Sequence, residues 1–403
     1  MSEFYKLRNK AKHYDWGSPV DIPRLMGITP DGAPWAELWI GSHSGSPSMA
    51  ITDEGEISLA DLIAGDPRRY GTLPFLLKLL AAEKPLSIQA HPNLAQAREG
   101  FERENRAGLA VDSPARNYKD PNHKPEIICA LTPFTGLCGF RDIDEIRKQL
   151  AVFLEPAPPV LREGFAPLTQ ALSNGNPAAA LRNFLAGLFG LSQQAREALT
   201  EYILSLKERV CELELMQNLA RLYPGDPAVI APIYLNVFRL EPGQAVFLEA
   251  GVLHAYIHGF GVELMANSDN VLRGGLTPKH IDVPELMKVL DFKPFKPAII
   301  TPNAGYFSYP TPCGEFSLSR IYGPTEISLM SQEGPSICIV TEGELVIATG
   351  DRETIVKRGE SLFIPPFKRG EGPLWLKGNF TLFIASSGRA ASCGGASSSG
   401  VKA

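Results

Sequence analysis

The sequence predicts a mainly β protein, with two β-barrel regions and an α-helical insertion that interrupts the first. Three observations predict this. Short apolar runs separated by Gly, Pro, Asp and Asn dominate residues 1–140, among them KPLSIQAHP and KPEIICALTPFTGLCGF. A helical periodicity then takes over up to about residue 226. Beyond residue 295 the strand-like runs ICIVTEGELVIATG, RETIVKRGESLFIPPF and LWLKGNFTLFIAS follow one another closely.

Taken in order, the N-terminal runs read as strands of a sandwich or barrel, and only FLLKLL fits a strand and a helix equally well. Pro156, Pro158 and Pro159 interrupt the helical segment near its start. Leu199, Ile203, Leu206, Val210 and Leu213 then fall on one helical face, with Ser192 as N-cap and Pro224-Gly225 as the stop. The β pattern resumes at 227–294, where a strand-like run from Tyr234 turns at Pro242-Gly243 into a second apolar run. In the C-terminal region Glu342-Gly343-Glu344 and Arg358-Gly359-Glu360 read as turns between antiparallel strands of a jelly-roll barrel. The expected division is 1–140 with 227–294 as the catalytic unit, 141–226 as the helical insertion and 295–386 as a second barrel. Residues 387–403, rich in Ser, Gly and Ala, are expected to form a disordered tail.

Composition sets limits on function. The chain has 403 residues, enough for two or three domains, and a formal net charge of −5. That balance argues against a nucleic-acid partner, which leaves a basic footprint. The N-terminus lacks the apolar stretch of a signal peptide, and no run of roughly 18 apolar residues suggests a membrane span. The six cysteines (129, 138, 211, 313, 338 and 393) form no C-x-x-C pair. They read as buried free thiols of a cytoplasmic protein.

The densest cluster of polar residues lies in ELMANSDNVLRGGLTPK, from Glu263 to Lys279, just after His254. Such density beside apolar runs suggests a lined pocket. Gln89 and His91 are two apart in a β-prone run, so both side chains leave a strand on one face. Glu126 opens the strand candidate EIICAL. With His254 these make a Gln, two His and a carboxylate, a set suited to zinc with water or substrate as a further ligand. The rival reading is a satisfied polar pair near a loop. Lys124, two residues before Glu126, and Arg273 and Lys279, separated by the turn-like Gly-Gly-Leu-Thr-Pro, supply cations for a phosphate.

The block from Tyr234 to Lys279, together with SIQAHPN (Ser87–Asn93) and NYKDPNHKPE (Asn117–Glu126), resembles the type I mannose-6-phosphate isomerases, which are zinc-dependent cupin enzymes. The resemblance runs from about His13 to Ser386. It implies one zinc held by Gln89, His91, Glu126 and His254, and a substrate pocket lined by Ser87, Lys124, Tyr256, Asp269 and Lys279. It gives Arg273 an active-site role and implies that both barrels are of cupin type. The implied reaction interconverts mannose 6-phosphate and fructose 6-phosphate through a cis-enediol. The proton-transferring base is left open among metal-bound water, Glu263, Lys124 and a histidine. A sugar phosphate is the expected partner, and the chain is expected to be a monomer or weak homo-oligomer. No histidine lies in the C-terminal region, so a second metal site is not expected there. Two rivals remain: a cupin oxygenase, which favours a 2-His-1-carboxylate triad, and a non-catalytic sugar-phosphate-binding cupin.

Overall fold

The structure is a computed structural model and describes residues 3–173, 175–207, 210–350, 352–368, 371–387 and 392–394. Among the described residues the strands form two antiparallel sheets, of eleven and ten strands. The protein is mainly β, with helices gathered chiefly between residues 143 and 222.

The first sheet is organised by FLLKLL, which is a strand. Phe75–Ala82 is buried along its whole length and paired on both sides, by Glu37–Ile40 and by His254–Ala266. Helical and extended readings of an unbroken apolar run differ in what it packs against, and here two cores receive alternate residues. Phe75, Leu77, Leu79 and Ala81 face a core shared with the second sheet, while Leu80 and Ala82 face a core containing Cys138, Phe238 and Tyr256. Lys78 therefore lies on the face of Leu80 and Ala82.

His254–Ala266 is the longest strand of this sheet and is strongly bent. Near its start His254 pairs with Gln89 and Cys138; near its end Met265 pairs with Glu126. Eleven residues of straight strand would span roughly 36 Å. Yet the side chains of His254 and Glu126 approach to 3.4 Å. The register breaks between Tyr256 and His258, and Gly259 adopts φ +128° just beyond. A Cβ at Gly259 would sit 2.8 Å from the backbone of Phe134, so the bend depends on its missing side chain.

The helical segment leaves and re-enters the sheet at adjacent strands, since Phe134–Phe140 pairs with Leu235–Leu240. Pro159 and Pro177 stand at helix N1 positions, where a missing N–H costs nothing. Ser192 caps Gln193–Ser205, accepting from the Ala195 amide as expected. The apolar stripe, however, does not continue as one helix. Leu206 is extended (ψ 139°), and Leu213–Leu222 is a separate helix. A four-and-three spacing carries across such a break because both helices turn their apolar faces to one core. That core reaches the first sheet, taking in Ile88, Leu253 and Leu272 with Phe184 and Leu199.

In the second sheet Leu374–Ser386 lies between Ser317–Ser331 and Ser336–Thr349. Its far side is completed by N-terminal strands: Tyr5–Arg8 pairs with Ser361–Ile364 and with Met49–Thr52, which pairs with Gly55–Ser58. The sheet memberships thus divide residues 1–140, because strand pairing follows backbone proximity and not sequence neighbourhood. In the tail, Ser392–Gly394 is a short strand against Ser317–Ser331, a backbone pairing that composition does not reveal. Most of the rest of 387–403 lies outside the described residues. Cys129, Cys138 and Cys338 are buried free thiols, but Cys211 is exposed.

Candidate metal centre

The candidate ligands converge because they sit at strand ends. Gln89 lies in Gln89–Ala90, with His91 directly after it; Glu126 opens Glu126–Ala130, and His254 opens His254–Ala266. Ligand atoms of His91, Glu126 and His254 all lie within 4.8 Å of one another. Nε2 of His91 is 3.4 Å from Glu126 Oε1, and Nε2 of His254 is 3.4 Å from Glu126 Oε2. All three residues are buried.

Hydrogen bonds fix how each ring presents itself. Nδ1 of His91 lies 2.7 Å from the Asn270 carbonyl, and Nδ1 of His254 lies 2.9 Å from the Val252 carbonyl. A carbonyl only accepts, so each ring donates from Nδ1 and turns a bare Nε2 lone pair toward Glu126. Burial, reinforced by Lys124, pushes the His91 imidazole down to about 4, which keeps that ring neutral at neutral pH. Its Nε2 is buried without a hydrogen-bond partner among the described residues. Two acceptor nitrogens facing a carboxylate repel unless a cation lies between them. The donor set therefore fits a divalent metal of zinc type.

Gln89 stands opposite His254 in register, and its amide nitrogen donates to Ser87 Oγ at 3.1 Å. That bond orients the amide and makes Ser87 its support. Lys124 is buried, with Nζ 2.7 Å from Glu126 Oε1. Burial would raise the Glu126 carboxyl, but the Lys124 ammonium beside it holds it well below the usual range, so it is ionised.

Of the other candidates, Tyr256 is buried, with its ring centroid 6.3 Å from that of His254. Arg273 is half-buried and pairs through its backbone with Gln89. It has no carboxylate partner among the described residues. Asp269 precedes Asn270, the anchor of His91, but its carboxylate lies 3.6 Å from His43 and lines an adjoining cleft of about 580 Å³. Lys279 is exposed and contacts none of the centre's groups. His258 and Lys84 are exposed. His123 accepts or donates at 2.6 Å with Glu315, a residue beyond the start of the C-terminal region.

Sequence reasoning missed Lys78 and Glu37. Lys78 Nζ is 3.1 Å from Glu263 and 3.4 Å from Glu37, and all three are buried. Burial alone would lower the Lys78 ammonium, yet Glu263 and Glu37 raise it, so it remains a cation. Burial pushes the Glu263 carboxyl up against the opposing pull of Lys78. Burial also pushes the Tyr256 phenol up, with Glu263 and Glu126 adding to it. The available signal was a lone lysine inside FLLKLL, since a central strand buries a charge only when carboxylates meet it.

Comparison with known proteins adds to this geometry. A family model described as phosphomannose isomerase type I, catalytic domain, matches residues 4–143. The mannose-6-phosphate isomerase of Escherichia coli (strain K12) is 37% identical over 391 residues, covering 93% of this chain and 97% of that protein. The Homo sapiens mannose-6-phosphate isomerase is 33% identical over 408 residues, covering 89% of this chain and 93% of its own length. Among solved structures, the Salmonella typhimurium mannose 6-phosphate isomerase, bound to fructose 6-phosphate as substrate and to zinc, superposes with a TM-score of 0.85. It is 34% identical and covers 96% of this chain and 100% of that one.

Proposed function

Since the chain belongs to the type I phosphomannose isomerases, we propose that Gln89, His91, Glu126 and His254 hold its zinc and that its reaction takes place beside them. It is an isomerase of D-mannose 6-phosphate and D-fructose 6-phosphate with zinc as cofactor. The observation that carries the ligand assignment is the convergence of two bare imidazole nitrogens on the ionised Glu126 carboxylate. The Gln89 amide oxygen joins them as the fourth donor, its nitrogen being engaged by Ser87.

The reaction moves a proton between C1 and C2 through a cis-enediol. Zinc at this position supplies a Lewis acid where oxyanion charge develops. Lys124, held against Glu126, places a second cation at the same edge. Arg273, whose backbone pairs with Gln89, offers a planar fork that would stabilise the enediol charge. Its lack of a carboxylate partner supports this role. Ser87, Tyr256, Asp269 and Lys279 complete the substrate contacts, Lys279 and Asp269 from the exposed rim. Buried Lys78 and Glu263 set the field beside Tyr256.

The architecture we infer is two cupin-type jelly-roll barrels with a helical insertion. Residues 1–140 with 227–294 form the catalytic unit, 141–226 the insertion, 295–386 the second barrel and 387–403 a tail. The strands Tyr5–Arg8, Met49–Thr52 and Gly55–Ser58 are lent to the second sheet. A cytoplasmic monomer or weak homo-oligomer that binds no nucleic acid fits the net charge of −5. No helix among the described residues is long and apolar enough to cross a membrane. The test is a coupled assay on mannose 6-phosphate with and without chelator, alongside metal analysis. Full turnover in metal-free protein would sink the assignment.

A further inference from the structure

Away from the metal centre, the two sheets meet along a seam that opens into a cleft of about 270 Å³. Three arginines line it: Arg24 from the short helix Asp21–Leu25, Arg320 from Ser317–Ser331 and Arg358 from the turn before Ser361–Ile364. Elsewhere in the chain Arg182 and Arg196 are held by backbone carbonyls, whereas Arg69, Arg141 and Arg239 pair with the carboxylates Glu3, Glu145 and Glu212. Among the described residues none of the three seam arginines has such a partner. Arg358 Nη2 donates to the Arg24 carbonyl at 3.3 Å, which ties two of them to one spot.

Arg320 is the most constrained of the three. Its Nε is buried and has no hydrogen-bond partner among the described residues. The guanidinium passes over Gly243, where a Cβ would collide with it, and Gly243 holds φ +90°. The turn Pro242-Gly243 of the first sheet thus leaves room for a cation from the second. Tyr309 fixes that turn by donating to the Gly243 carbonyl at 2.7 Å. Leu25, Leu131, Phe260 and Phe383 supply an apolar floor to the lining, alongside the hydroxyls of Thr132, Thr341 and Thr381.

Asp21 and Glu342 also line the cleft, and Glu342 accepts from the Thr381 hydroxyl at 2.8 Å. Three cations against two anions leave an excess of one positive charge. Arg320 stacks on the Tyr322 ring at 4.6 Å, and Arg358 is tied to a carbonyl, but neither contact supplies a negative charge, so an anion joining the three arginines would offset their mutual repulsion. Guanidinium forks suit phosphate oxygens, and an apolar floor suits a ring.

We propose that this seam is a second ligand site, which binds the phosphate of a small ring-bearing phosphate ester among Arg24, Arg320 and Arg358 and lays the ring on the floor. The site is separate from the zinc centre, although the strand Glu126–Ala130 runs from one to the other. It depends on both sheets, so its ligand ties them together.

The test is calorimetric titration of the zinc-loaded enzyme with adenosine 5′-monophosphate and, separately, with inorganic phosphate. The wild type is expected to show a binding class that weakens at least tenfold in Arg320→Met and in Arg358→Ala. Both variants should keep the wild-type kcat and KM for mannose 6-phosphate. Arg358 is exposed, so its variant remains informative even where Arg320→Met folds poorly. The nucleotide should bind more tightly than inorganic phosphate, and it should raise the melting temperature of the wild type but not of the variants. Isotherms unchanged in both variants would overturn the site. Equal affinities for the two probes would overturn the role given to the floor.

Discussion

The two sheets are made from the same kinds of residues but differ in what they bury. The second sheet hides only hydroxyls and an amide as polar groups: Ser317, Ser336, Thr341, Ser361, Thr381 and Gln332 are examples, and no charged side chain is buried there among the described residues. The first sheet buries Glu37, Lys78, Lys124, Glu126 and Glu263, along with His91 and His254. A buried hydroxyl is satisfied by one carbonyl, as when Thr341 donates to Thr381. A buried charge costs several kcal/mol unless it is paired. Charges at that density persist where they do chemistry, so the contrast separates a scaffold from a reaction site.

That contrast breaks most visibly at the ligands. His254→Ala should abolish nearly all turnover and weaken zinc binding by more than the ~10–100-fold that outer-shell partners cost. The fold should survive, because the second sheet keeps its own core of Ile321, Val340, Leu345 and Leu382. Metal analysis and circular dichroism check both halves; an undiminished zinc content would remove His254 from the set.

Arg273→Ala comes next. Loss of an electrostatic donor to the enediol should lower kcat by about 10²–10³, or roughly 3–4 kcal/mol, with a smaller change in KM. Arg273→Lys keeps the charge without the fork and should recover part of the deficit. If kcat is near normal and only KM rises, Arg273 anchors phosphate and does not stabilise the transition state.

A matched pair sharpens the comparison further. Lys78→Met strands Glu37 and Glu263 and should cost about 3–5 kcal/mol of stability. Leu345→Ala, in the core of the second sheet, should cost about 2–5 kcal/mol through its cavity. Urea denaturation should thus rank them as similar. Assays should not: the Lys78 variant is expected to lose activity, and the Leu345 variant to keep its KM and zinc. Equal activity in the two folded variants would contradict the division into scaffold and site.

The smallest effect is expected where the two regions touch. Burial would raise the Glu315 carboxyl, but its bond to His123 brings it below the ordinary value. A carboxyl lowered on folding adds stability above its unfolded pKa and loses it as pH falls through the folded one. Glu315→Gln should therefore destabilise the protein by less than about 1 kcal/mol at neutral pH, since the pair is partly exposed. The difference should fade below the usual glutamate range. A deficit that persisted at low pH would mean that Glu315 acts by packing and not by charge.

Local patterns carried much of this. Gln89-x-His91 on one strand face, the caps at Ser192 and the prolines, and the runs beyond residue 295 follow from periods of two and 3.6 residues. Such periods depend only on the chain's own geometry. They were blind to the break after Leu206, to the strands lent by residues 5–58 and to the strand at Ser392–Gly394. Each of those is set by what lies alongside in space.

By itself the sequence determined that the chain is mainly β, that helices are inserted after residue 140, and which donor types are available to a metal. Only the tertiary structure decided that Glu126 and His254 meet. They lie at opposite ends of a strand pairing, and the bend at Gly259 closes the distance. Only the tertiary structure, too, showed that Lys78 is a buried cation held between two carboxylates, because a lysine in an apolar run acquires its meaning from Glu37 and Glu263, which reach it from neighbouring strands. A pattern along the chain encodes which face a side chain takes. The partner across the sheet is fixed by register and curvature, which arise only when the strands pack.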